Sequence, residues 1–351
     1  MAAVPTAVGE RADPMSGGPS SPSPVGDPQT LAAALAPALR EACGGRLGEI
    51  EWFRSTWQRG GAATGFAQWT ERDGRTLPVV VKLPVGPREH RWAMLLGAAE
   101  TDTMPTPAHE RPVPRVVTGG NSLDGYDLGW LVMERLDGHT LSHAIDRAAI
   151  EELLRTAARF HALAEQARPV EGPPPERDWG SLIARSREAL RAHEVEIGDA
   201  QRWNEALKKV QRALPMLEAA WRARPLDTWC HGDLHPGNAM RRSGSDGRPG
   251  PCVLLDLAFV HAGSWVEDAV YLERQFWGHE DRLDGIKPVS TLAKCRRELG
   301  LRTDGDYGTL ASIRRVLMAG CVPGVAAHEG TPAYAAAALG IIERVLPQIT
   351  R

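Results

Sequence analysis

Two textures of hydrophobic spacing divide the chain. Up to residue 136, apolar residues come in short runs broken by Gly, Pro and an Asp-Gly turn; after Gly138 they recur every three or four residues over long stretches. In the first texture, "GEIEWFRST", "GGAATGFAQWTER" and "TLPVVVKLP", the last two joined by Asp73-Gly74, predict an antiparallel meander. "PREHRWAMLLGAAE" follows with helical spacing that puts Trp92, Leu95 and Leu96 on one face, and "PRVVTGG" and "DLGWLVMERL" read as two more strands. Ahead of the meander, "DPQTLAAALAPALREACGG" predicts a helix, with Asp27 as cap, Pro28 at the first position and Gly44 at the stop. Pro37 is expected to bend or interrupt it. The result is a sheet of about five strands with one inserted helix, an α+β pattern.

In the second texture, "AAIEELLRTAARFHALAEQ" carries apolar residues at 150, 153, 154, 157 and 164, one buried helical face. "WGSLIARSREALRAHE" and "AQRWNEALKKVQRALPMLEAAWRA" are helical too, and after the short strand "PCVLLDLAFV" the remainder is mainly helix. Three regions follow. Residues 1–27, rich in Pro, Gly and Ser, are expected to be a disordered tail; residues 28–136 form a small sheet lobe, and residues 137–351 a larger helical lobe.

Composition narrows the class. Of 351 residues, 42% are hydrophobic and 24% charged, with a net charge of -3 and no basic block, so nucleic acid is not an expected partner. No apolar run is long enough to span a membrane, the N-terminus lacks a signal-peptide pattern, and five Cys without a CxxC pair fit a reducing cytoplasm. Cys230 reads as a small buried residue.

The candidate chemistry lies in "WCHGDLHPGNAM". His231 and His235 are four apart, but Gly232, Pro236 and Gly237 oppose the helix that would aim both at zinc, and no Cys or His cluster completes a ligand set. Phosphoryl transfer fits better. It needs a carboxylate to orient a hydroxyl and take its proton, with oxygen ligands for Mg²⁺ nearby. His231, Asp233 and Asn238 match the spacing of the kinase loop H-R-D-x-x-x-x-N, with Gly232 in place of Arg. Asp256 ends the apolar run "CVLLD", where a rigid strand would hold a second Mg²⁺ ligand beside Asn238. Upstream, Lys82 ends "LPVVVK", the place of a phosphate-contacting lysine, and Glu89 on the next helix is its expected carboxylate partner, with Glu100 and Glu110 as substitutes. "RGGAATG" occupies the place of a phosphate-covering loop, through Gly61 and Gly65.

Together "HGDLHPGN", "VLLD", "VVVK", "REHRWAMLL" and "WLVMERLDGHTL" resemble the aminoglycoside phosphotransferase-like family over about residues 45 to 275. The resemblance implies a two-lobed protein-kinase-like fold, with a small antiparallel-sheet N-lobe that binds nucleotide and a mainly helical C-lobe. It implies Asp233 as catalytic base, Asn238 and Asp256 as Mg²⁺ ligands and Lys82 on the phosphates of ATP, with GTP left open by the degenerate glycine loop. Met133, Glu134 and Arg135 would belong to a hinge meeting adenine through backbone groups. His231 is counted with the catalytic loop, as a brace by hydrogen bonding; His161 is expected as a core residue bonded to that loop, and Asp268 as a structural acid.

The expected activity is an ATP- and Mg²⁺-dependent phosphotransferase with an alcohol group as acceptor. About ten residues separate Asp256 from the next helix, and no A-P-E segment docks a peptide, so the acceptor is a small hydroxyl compound: an amino sugar, aminoglycoside, sugar or amino alcohol. His235, Glu273 and Trp277 are the candidate substrate contacts. The alternative is a nucleotide-binding regulatory pseudokinase without turnover.

Overall fold

The computed structural model describes residues 28–53, 62–98, 106–192, 198–244, 249–303, 305–325 and 331–351. In chain order, α1 (Pro28–Ala42) precedes β1 (Glu51–Phe53), β2 (Ala63–Thr70), β3 (Thr76–Val85), α2 (Pro87–Gly97), β4 (Val116–Gly120) and β5 (Gly129–Glu134). Then come α3 (Arg147–Ala167), α4 (Trp179–Arg191), α5 (Ala200–Arg222), β6 (Thr228–Cys230), β7 (Ala239–Ser243), β8 (Pro249–Leu254) and β9 (His261–Gly263). Helices α6 (Val266–Arg274), α7 (Pro288–Glu298), α8 (Tyr307–Gly320), α9 (Val322–Val325) and α10 (Pro332–Ile349) follow. Among the described residues no helix is long and apolar enough to cross a membrane. The expected tail, 1–27, lies outside the described residues.

Two compact units form. One runs to Thr140 and takes in Gly237–Val260; the other comprises Leu141–Pro236 and His261–Arg351. The boundaries read from the sequence are contiguous, 28–136 and 137–351, whereas the β7–β8 hairpin packs with the sheet. Polar anchors explain why. Buried Arg242 on β7 donates to the carbonyls of Arg111 and Val113 at 2.7 Å each and to Glu134 Oε1 at 2.7 Å. Leu254 N donates to Pro112 O at 2.9 Å.

In the sheet unit, the five strands run in the order β1-β2-β3-β5-β4, every neighbour antiparallel. Period-two alternation along β3 buries Val79, Val81 and Leu83 on one face, against Ala63, Ala67 and Trp69 of β2 and Val132 of β5. Helix α1 covers this core with Ala32, Leu35 and Leu39. It runs unbroken through Pro37, because that buried stripe holds both halves of the helix to one surface. Lys82 therefore takes the opposite face of β3 from the core.

The helical unit follows its sequence signals closely. Asp146, Asp178, Asp306 and Thr331 cap α3, α4, α8 and α10, each accepting a backbone N–H three residues on. The α3 stripe Ile150, Leu154, Ala157, His161 and Ala164 is buried throughout. Strands β6 and β9 pair as a two-stranded ribbon.

Candidate active site

The sheet unit assembles a cation between two carboxylates. Lys82 Nζ lies 2.5 Å from Glu89 Oε1 and 4.0 Å from Asp256 Oδ1. Glu89, in the first turn of α2, is nearly buried, and burial raises its pKa above the ordinary glutamate value against the pull of Lys82. Glu110 faces His109 instead, and Glu100 lies outside the described residues. Burial works against the Lys82 ammonium, but the charges of Glu89 and Asp256 outweigh it and hold its pKa above the ordinary lysine value.

The β7–β8 hairpin closes the gap of eighteen residues between Asn238 and Asp256. Ala239 pairs with Leu254, so Asn238 just before β7 lies across from Leu255 just after β8, whose N–H donates to Asn238 O at 2.8 Å. Asp256 comes next. It is not on the strand, as the sequence suggests, but beyond its end, with φ +57, capping the turn Leu257–Phe259 through Ala258 N. Asp tolerates this left-handed backbone better than most residues because its short side chain bonds locally. Its side chain stays 39% exposed, enough to offer oxygen to a ligand. An amide oxygen and a carboxylate on one hairpin end are a donor set that suits Mg²⁺.

The helical unit holds the loop that carries Asp233. Asp268, fully buried on α6, accepts His231 N and Gly232 N at 2.8 Å each, and His161 at 2.9 Å. Gly232 has φ +85, a conformation where any side chain costs roughly 1–2 kcal/mol, which is why Gly stands where protein kinases have Arg. Arg296 Nη1, buried on α7, bonds His161 Nδ1 at 3.0 Å. A guanidinium can only donate, so Nδ1 accepts and the Nε2 hydrogen points to Asp268. Burial lowers the His161 pKa, and Arg296 adds to that against the pull of Asp268, so His161 is neutral. Asp268 is the anion: burial would raise its pKa, and the hydrogen bonds from His161 and the Gly232 backbone hold it below the ordinary aspartate value. Both the core role of His161 and the structural role of Asp268 take this concrete form.

Asp233 is 5% exposed. Tyr271 donates its hydroxyl to Asp233 Oδ1 at 2.5 Å, and His235 Nε2 lies 3.5 Å from Oδ2. Burial pushes the carboxyl up, but the His235 and Tyr271 interactions win and hold it at about 2. His231 is wholly buried against the Phe160 ring, and its Nδ1 accepts Asp233 N at 3.3 Å. It shapes the loop and is a positioning residue, correcting its grouping with Asp233. The depressed Asp233 pKa stabilises the fold above the unfolded carboxyl value near 3.8 and is lost as pH falls toward 2. The difference corresponds to about 2 kcal/mol. Urea titrations of the wild type and Asp233→Asn at pH 7 and at decreasing pH are expected to show a wild-type loss over this window that the variant lacks.

Other expectations need correction. Glu273 is not open to a cationic substrate: Arg315 grips both its oxygens at 2.6 Å. Trp277 is 2% exposed and stacked on Tyr334, a core residue and not a platform. Gly65 lies within β2, where a Cβ would meet Ile50 Cγ2 at 2.5 Å; strand packing explains this glycine. Gly61 lies outside the described residues. Met133 and Glu134 end β5 and Arg135 follows; Glu134 N donates to Arg115 O and Arg135 N to Pro78 O, so these two donors serve the sheet. Tyr271 and Arg296 escaped sequence reading. Tyr271 carried a weak signal, three residues after Asp268 on the same helix face; Arg296 had none, since its partners are distant in sequence.

The metal alternative takes a different shape. Among the described residues, the His, Cys and carboxylate group close enough to share an ion is Cys230, His261 and Glu267, without His231 or His235. Arg224 holds Glu267 at 2.9 Å and Arg314 stands 3.9 Å away, a positive setting that opposes a cation. A separate cavity of about 470 Å³ opens there within the helical unit, between the Pro173–Pro175 segment and Trp221, and does not include Asp233.

A five-stranded antiparallel sheet with its Lys–Glu pair, and a helical unit with an H-G-D loop, define the protein-kinase-like phosphotransferase class. The chain belongs to the phosphotransferase enzyme family, whose model matches residues 56–287, more than half its length. Similar solved structures include a candidate aminoglycoside phosphotransferase from Ralstonia eutropha JMP134, 15% identical, with a TM-score of 0.52 over 90% of this chain and 98% of that one. Another is an aminoglycoside phosphotransferase from Alicyclobacillus acidocaldarius, 15% identical, TM-score 0.51, covering 94% and 98%. At that identity they speak for the fold. No curated protein matches the sequence.

Proposed function

We propose that the protein transfers the γ-phosphoryl group of a nucleoside triphosphate, ATP before GTP, to a hydroxyl of a small acceptor in the cytoplasm. The observation that carries this is Lys82 between Glu89 and Asp256, on the unit that also presents Asn238. Lys82 keeps its charge there and is suited to hold phosphate oxygens. Asn238 and Asp256 would hold Mg²⁺, which when bound neutralises charge on the transferring group. Met133 to Leu136 would meet adenine through carbonyls or the Leu136 N–H, since the donors of Glu134 and Arg135 are used in the sheet. Asp233 accepts a hydrogen bond from the acceptor hydroxyl and aligns it. With its carboxyl held at about 2, it is ionised at neutral pH but a weak base, so it takes the proton late, once the oxygen has begun to bond phosphorus.

Aminoglycosides, amino sugars, sugars and amino alcohols remain the acceptor classes. With Glu273 occupied by Arg315, His235 is the remaining candidate contact among those named from the sequence. The test is an ATP-consumption screen over such a panel, with and without Mg²⁺. Mg²⁺-dependent turnover with one class is expected; nucleotide binding with no consumption anywhere would favour a regulatory role instead.

A further inference from the structure

We infer that Tyr271 is a positioning residue for the proposed base: its bond to Asp233 Oδ1 fixes the orientation of the carboxylate that receives the acceptor proton. This rests on the reading of Asp233 given above. The geometry is specific. Tyr271 is 2% exposed, on α6, and its hydroxyl donates to Oδ1 at 2.5 Å. Asp268, one turn earlier on the same helix, binds the backbone N–H groups of His231 and Gly232. One face of α6 thus fixes the loop twice, its backbone through Asp268 and its carboxylate through Tyr271.

A carboxylate has two oxygens and rotates about its terminal bond, so a base without a second anchor samples orientations that do not face the acceptor. The Tyr271 bond removes that freedom. The groups facing Asp233 include Tyr271 on Oδ1, His235 at 3.5 Å from Oδ2, and His231 behind the loop. The Arg274 guanidinium stands 5.2 Å over the Tyr271 ring, an attraction that drains electron density from it and makes the hydroxyl a stronger donor. In the transfer step the acceptor O–H bond breaks as the new O–P bond forms. The proton goes to the Asp233 carboxylate, and the bond between the γ-phosphorus and the bridging oxygen breaks to release the nucleoside diphosphate. The Tyr271 proton stays on Tyr271.

The experiment compares wild type, Tyr271→Phe and Asp233→Asn with the acceptor found by the panel. Tyr271→Phe keeps the ring and removes the bond. Expected are a kcat lower by about 10- to 100-fold, with acceptor KM and ADP affinity within about threefold. The acid limb of kcat is expected to move upward in pH in Tyr271→Phe, because Asp233 loses a bond that favours its charged form. A merely structural role would not move that limb. Should the Phe variant fail to melt as a folded protein, 3-fluorotyrosine at position 271 replaces it: its more acidic hydroxyl donates more strongly to Asp233, so the acid limb of kcat is expected to move downward in pH, and an unmoved limb would overturn the positioning role. Wild-type kcat and pH profile in Tyr271→Phe, with Asp233→Asn inactive, would overturn the positioning role alone. Full turnover in Asp233→Asn would overturn the base assignment on which it rests.

Discussion

Asp233→Asn is expected to lower kcat by about 10²–10⁴-fold, the range general-base groups supply, while ADP binding changes less than twofold. The amide keeps the volume and can still accept Tyr271's hydroxyl, so the loop retains its shape. It cannot take a proton from the acceptor. The nucleotide-facing residues proposed here, Lys82, Asn238 and Asp256, belong to the other compact unit and are unaltered. Initial rates and ADP calorimetry on the same preparation separate these effects. A variant with wild-type kcat would end the assignment; a variant that loses ADP affinity would place Asp233 in nucleotide binding instead.

Asp268→Ala is expected to be the most destabilising single change in the loop's surroundings. It would strip acceptors from the buried N–H of His231, the part-buried N–H of Gly232 and buried His161. Removing one charged member of such a network costs about 3–5 kcal/mol. Against a total stability of roughly 5–15 kcal/mol, that is a large share. Urea unfolding measures it. Asp268→Asn, with one acceptor oxygen left, should fall between. An unchanged midpoint for Asp268→Ala would mean water or repacking satisfies the loop, and Asp268 would lose its bracing role.

The two aspartates differ in what surrounds them. Asp233, the proposed base, is held by Tyr271 and His235; Asp268 is held by His161, with Arg296 behind. Two aspartates of one constellation thus have opposite expected signatures, turnover for the first and stability for the second.

Much of this was legible in the chain. Period-two runs, the Asp73-Gly74 turn and capping residues at 146, 178, 306 and 331 determine the strands and helices, because local backbone preferences and alternating burial act over a few residues. The spacing His231, Asp233, Asn238 is set by covalent geometry alone, and it carried the family resemblance. Tertiary structure decided what depends on distant partners. It chose Glu89 for Lys82, and it gave the β7–β8 hairpin to the sheet unit through Arg242. It took Glu273 for Arg315 and Trp277 for the core, and it brought Tyr271 to Asp233. A side chain's charge and shape are written in the sequence; which partner saturates it is fixed only when residues tens of positions apart compete for the same buried place.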